Sequence, residues 1–145
     1  MTLKFTKYGF INGLISLIPI FPIWSLIPGV LAADAIGTLV NNCERGYRIV
    51  LWISIILSII IIILYARNLN KMLLKNERKI KLNFRLWSLV LYTFVNLIGL
   101  IIVLGTYLAC NGDGQTILAC IYSGPIASLS LIAFGLIIDI KNNWC

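Results

Sequence analysis

Four long stretches without a charged side chain follow one another along the chain, Tyr8 to Ala33, Ile49 to Ala66, Leu86 to Gly112 and Gly114 to Ile138, with polar segments between them. A hydrocarbon layer about 30 Å thick is crossed by about 20 apolar residues of helix, and each stretch reaches or approaches that length. The pattern predicts an all-α membrane protein, a four-helix transmembrane bundle with spans at about 9–31, 49–66, 86–108 and 117–138.

The first span is the irregular one. Pro19, Pro22 and Pro28 each lack a backbone donor and crowd the preceding turn, so a kink or break is expected there. Carbonyls freed at membrane depth need partners, which puts one face of this span against protein. Gly9 and Gly13, four apart around Asn12, let a second helix come close. The second span is almost wholly Ile and Leu and reads as an anchor. The third carries Asn96 near its middle, expected to hydrogen-bond between helices. Gly105 with Ala109, Gly124 with Ser128 and Ser123 with Ala127 give small faces on which spans three and four, joined by a short loop, are expected to meet.

Between the spans, Asp34 to Tyr47 is expected as an outer loop, with Ala35 to Val40 at the interface or re-entrant and a polar tip at Asn41 to Gly46. Arg67 to Arg85 places Leu69, Leu73, Ile80 and Phe84 at helical spacing among basic residues, the mark of a cationic interfacial helix, with a solvated loop as the alternative. Either form attracts anionic lipid, by about 1 kcal/mol per Lys or Arg near the surface.

Composition removes the soluble alternatives. A mean hydropathy of +0.97, with 60% apolar and 12% charged residues, leaves too little polar cover for a soluble domain. Residues 1–145 therefore read as a single transmembrane domain. The first apolar run exceeds the roughly 7–15 residues of a signal-peptide core and is expected to remain, although the Ala32–Ala33 pair keeps cleavage open as the alternative. With the amino terminus inside, ten of the twelve Lys and Arg fall on the inner side and only Arg45 and Arg48 outside. The positive-inside rule then expects both termini in the cytoplasm of a bacterial inner membrane. The net charge of +7 follows from that topology, and no nucleic-acid partner is expected.

Cysteine placement carries the clearest chemistry. Cys43, Cys110 and Cys120 fall on the outer side, where thiols oxidise in a periplasm. Asn111 to Gly114 is a turn-forming run that can bring Cys110 and Cys120 together, the favoured disulfide; pairing of Cys43 with one of them across the loops is the alternative, and no bridge a third. The layout resembles the four-span thiol oxidases that pass electrons from periplasmic disulfides to quinone, which would imply a thiol-disulfide oxidoreductase facing the periplasm. Those enzymes carry Cys-x-x-Cys in the first outer loop, whereas Cys43 has no cysteine three residues away.

Other chemistry finds no support. The chain has no His, its five carboxylates are scattered, no glycine-rich loop opens a helix, and no acid or base lies mid-span, so neither enzyme activity, a cofactor, a metal nor proton-coupled transport is expected. What remains is binding of another membrane component, as an immunity or exclusion protein against a membrane-acting toxin or a foreign secretion machine, or as an accessory subunit of a larger complex. Recognition is expected in the outer loops, at Cys43, Glu44, Arg45 and Asp113, and on the span faces that carry Pro19, Pro22, Asn96, Gly124 and Ser128.

Overall fold

The computed structural model describes residues 3–18, 20–73, 76–111 and 115–144, without the side chains of 69, 70, 72, 73, 115–118, 120 and 121. These residues form five helices and no strand: α1 (Lys4–Ser16), α2 (Ile20–Leu39), α3 (Cys43–Leu73), α4 (Glu77–Asn111) and α5 (Gln115–Trp144). Four stretches within them are long and apolar enough to cross a membrane, Ile20–Leu39, Cys43–Asn68, Glu77–Asn111 and Tyr122–Trp144.

The proline-rich first stretch is broken. At the end of α1 the i→i−4 ladder tightens, Leu17 N–H reaching Leu14 O and Ile18 N–H reaching Ile15 O, both at 3.3 Å. Beyond the break the two pieces take different neighbours: α1 packs chiefly on α5, and α2 on α3 and α4. Together they run alongside the 35-residue α4, α1 against its first half and α2 against its second.

Turn chemistry sets the end of α2 and the start of α3. Asn41 takes a left-handed conformation (φ 53°), and Asn42 accepts the Arg45 backbone N–H on its side-chain oxygen at 3.0 Å, an N-cap for α3. The expected outer loop at Asp34 to Tyr47 thus shrinks to Val40 to Asn42, since α2 continues to Leu39 and α3 starts at Cys43. The expected interfacial helix at Arg67 to Arg85 is divided between two elements: residues 67–73 continue α3 and residues 77–85 open α4, with 74 and 75 outside the described residues. At 31 and 35 residues these helices are about 46 and 52 Å long, more than a hydrocarbon core needs.

Two apolar clusters hold the two ends of the bundle. One is aromatic: Phe84 of α4 and Phe134 of α5 stack with ring centroids 5.4 Å apart, and Tyr65 of α3 meets both edge-on. Phe5 completes it from α1, 5.5 Å from Phe84. The other cluster joins Leu26, Tyr47, Val50, Leu97 and Leu100 near the far end. Ile80 and Phe84, expected on a cationic interfacial helix, are buried in the first cluster because α4 begins early enough to carry them into the bundle.

Small residues set the closest approaches. A Cβ on Gly135 would stand 2.5 Å from Phe5 O, one on Gly13 would stand 3.2 Å from Ser128 O, and one on Gly9 would collide with Leu131 O. The Gly9 and Gly13 spacing therefore does admit a helix, and that helix is α5. Spans three and four do meet, through Gly99 against Ser123, whose separation of 3.4 Å from a built Cβ is ordinary contact. Gly105 and Ala109 are not the meeting face, because Gly105 leaves the helical region altogether (φ 72°, ψ 163°) and interrupts α4.

Candidate functional site

The bundle's polar side chains gather where α1 breaks from α2. Asn96, with no solvent exposure, donates from Nδ2 to Pro22 O at 2.9 Å and lies 2.6 Å from Ser25 Oγ, while the Ser25 hydroxyl itself donates to Pro22 O at 2.9 Å. The Tyr92 hydroxyl donates to Ser16 O at 3.2 Å, bracing the last carbonyl of α1. The Ser16 and Ser128 hydroxyls lie 2.8 Å apart, and each also reaches a carbonyl on its own helix, Gly13 O and Gly124 O. Two protons serve those three contacts, so one is always without its proton. Pro22 sits against Gly124, where a Cβ would come within 2.8 Å of the Pro22 Cγ.

Four of the expected partner-binding residues, Pro22, Asn96, Gly124 and Ser128, are thus brought together, and all four are buried against neighbouring helices. Pro19 and Asp113 lie outside the described residues. Glu44 and Arg45 stand in the first turn of α3, where the acid suits the helix N-terminus and Arg45 is exposed.

The disulfide reading is corrected. Cys110 is bonded to Cys43, with Cα atoms 5.9 Å apart and a sequence separation of 67. The favoured Cys110 to Cys120 bridge is excluded while Cys110 is so engaged; the Cys120 side chain is outside the description. The physical reason is placement: the short Asn41–Asn42 turn starts α3 at Cys43, which stands beside the end of α4, the stretch of that helix beyond the backbone excursion at Gly105.

Asp139, two residues from Lys141 in sequence, is fully buried and serves α1: its carboxylate accepts Phe5 N–H at 3.0 Å, Thr6 N–H at 2.7 Å and the Thr6 hydroxyl at 2.7 Å. The first turn of a helix leaves N–H groups unpaired, and α1 has no cap of its own, Leu3 preceding Lys4. A carboxylate from α5 supplies the missing acceptors, with the charge sign that a helix N-terminus favours.

One cleft opens beside this polar centre. It has a volume of about 180 Å³ between α1, the start of α2 and α4, and Asn12, Ile15, Phe21, Arg85, Ser88 and Leu89 are among its lining residues. Ser88 is 1% exposed, and its hydroxyl, like Asn12 Nδ2, has no hydrogen-bond partner among the described residues. No sequence signal singled out Arg85 or Ser88 as a pair; three apart on a helix, they share a face only once that face is known to meet α1. At the disulfide end, Asp34, Thr38, Asn41 and Asn42 border an open depression of about 370 Å³. Among the described residues no three His, Cys, Asp or Glu stand close enough to hold a metal.

The chain matches no known family model, no curated protein and no solved structure.

Proposed function

We propose that this is a multi-pass protein of a bacterial inner membrane, with both termini cytoplasmic, that acts by binding another membrane component, and within that class as an immunity or exclusion protein. The observation that carries the reading is the division of labour among polar groups. In the interior, Asn96, Ser16, Ser25, Tyr92 and Ser128 are engaged in holding the α1–α2 break to α4 and α5. At the disulfide end, the capped start of α3 and the Cys43–Cys110 bond fix a small polar surface around Asn41, Asn42, Glu44 and Arg45. A surface held rigid before binding loses less freedom on association, which favours recognition there.

Orientation rests on the basic residues that extend α3 and begin α4, namely Arg67, Lys71, Arg78, Lys79, Lys81 and Arg85, all at the end away from the disulfide. Reporter fusions after Arg78 and Lys141 should score cytoplasmic, and one within residues 111–114 external. An external score after Arg78 overturns the orientation. For function, cells expressing the protein are challenged with pore-forming toxins and tested as recipients in conjugation, alongside a variant with Glu44→Gln and Arg45→Gln. Protection that falls in the variant at unchanged membrane abundance supports recognition at the disulfide end. Absence of protection from every challenge removes the immunity and exclusion reading.

A further inference from the structure

We propose that the cleft between α1, the start of α2 and α4 seats one anionic phospholipid, with its phosphate at Arg85 and Lys81 and part of an acyl chain against Ile15, Phe21 and Leu89. The proposal rests on the membrane reading above and names a ligand that reading leaves open. The groove's chemistry is graded along the helices that line it. Asn12 and Arg85 line both the cleft and a smaller depression that continues it past Tyr8 and Lys81, so the two form one groove along α1 and α4. Its mouth carries two cations. Lys81 Nζ lies over the Tyr8 ring, 5.9 Å from its centroid, and Arg85 has no ion-pair partner among the described residues.

No carboxylate lines either part of the groove. Below the cations, the wall presents the Asn12 amide and the Ser88 hydroxyl, both buried and without partners. A buried donor left unpaired is costly, so the groove calls for acceptors at that level as well as for negative charge at its mouth. Phosphate and ester oxygens arranged one above the other meet both needs. Further along α1 and α4 the lining turns apolar at Ile15, Phe21 and Leu89, all three partly open to the surroundings of the bundle. From Arg85 to Tyr92 the helix climbs about 10 Å, which takes the groove from an interfacial depth into the acyl region. At about 180 Å³ the cleft is below the roughly 300 Å³ of a whole small-molecule site and suits a single slender segment.

The test is native mass spectrometry of the delipidated full chain in micelles, titrated with phosphatidylglycerol and with phosphatidylcholine of the same acyl chains. Phosphatidylglycerol should be retained at one copy per protein with a preference of about thirty-fold, each basic side chain near the headgroup supplying a factor of about five. The double variant Lys81→Gln, Arg85→Gln should lose most of that preference while keeping its helix content and its Cys43–Cys110 bond. Leu89→Trp, which fills the apolar part and leaves both cations, should weaken retention of both lipids. Equal retention of the two lipids by the unaltered protein overturns the proposal. So does a double variant that keeps the preference, or competition by millimolar inorganic phosphate, which would make this a free-anion site. A photo-crosslinker at position 89 that labels protein and not lipid in cells overturns it in favour of a protein partner. A chain washed from membranes by alkaline carbonate would sink the membrane reading itself, whereas a membrane-retained chain without lipid preference sinks this proposal alone.

Discussion

Cys43 opens α3 and is bonded to Cys110, the penultimate residue of α4, so the two antiparallel helices are joined covalently at one end. Protein from an oxidising compartment, digested without reduction, should yield a Cys43–Cys110 crosslinked peptide by mass spectrometry. Cys120→Ser should leave that peptide unchanged, and Cys43→Ser should abolish it. With the cysteines 67 positions apart, the chain-entropy model assigns the bond about 4 kcal/mol, less where the helices persist in the unfolded reference state. A crosslink between Cys110 and Cys120 would overturn the assignment.

Gly105 should tolerate no side chain, although there is open space around it. Nothing stands within 4 Å of a Cβ built there, but φ 72° with ψ 163° is a region essentially confined to glycine. Gly105→Ala should destabilise by about 1–3 kcal/mol. It should also lower the yield of the Cys43–Cys110 bond, measured by alkylation of free thiols, because a continuous helix would turn Cys110 away.

Gly135 and Gly99 make a matched pair of tests. Ala at 135 would force α1 and α5 apart, its Cβ falling 2.5 Å from Phe5 O, and should cost about 1–3 kcal/mol in a micelle unfolding titration. Ala at 99 meets Ser123 at ordinary contact distance and should be neutral or stabilise by a few tenths of a kcal/mol through helix propensity. Equal effects at the two positions would refute the tight α1–α5 approach.

Asp139→Ala should remove three hydrogen bonds and leave two N–H groups of α1 unpaired, a loss of about 2–3 kcal/mol. Hydrogen exchange should accelerate first at Phe5 and Thr6. Asp139→Asn keeps an acceptor oxygen and should fall between the two. Lys141→Ala should leave these amides unaffected.

Lys4 and Glu77 form an exposed ion pair that links α1 to the start of α4. Its hydrogen bond to Glu77 raises the Lys4 pKa from 10.5, and the same bond lowers that of Glu77 from 4.5. The Glu77 contribution is therefore present above about pH 4.5 and lost as the pH falls through its lowered value. The Lys4 contribution is present below about pH 10.5 and lost as the pH rises through its raised value. Amide exchange at the start of α4 should be insensitive to this pair between those limits and faster beyond either one. Glu77→Gln should flatten the acid limb, and added salt should shrink the effect at both ends.

The apolar runs reveal the four long apolar helices because length and hydrophobicity are both visible in one dimension, and the prolines reveal the break between Ser16 and Ile20. Helix ends were less legible. Lys, Arg and Glu are good helix formers, so α3 continues past Arg67 and α4 starts before Arg85 despite their charge. The partners of Asp139 and Cys110 were harder still. Lys141 is close to Asp139 in sequence, but residues two apart on a helix do not face each other, and the acceptor's true partners lie more than 130 residues away. Likewise the turn between Cys110 and Cys120 was a local signal, while the true partner, Cys43, stands 67 positions away in sequence. The polar centre was half visible: Asn96 announced a helix contact, but Ser16 and Tyr92 looked like ordinary residues of apolar runs.

The capping of α1 by Asp139 sets an order on synthesis. Thr6 leaves the ribosome more than 130 residues before the carboxylate that receives its N–H, so α1 waits with an open first turn until α5 has been threaded into place. A chain stalled before Asp139 should expose that turn, and release of the last segment closes the earliest one. The first helix made is the last one completed, and a nascent chain that fails at its far end announces the failure at its beginning.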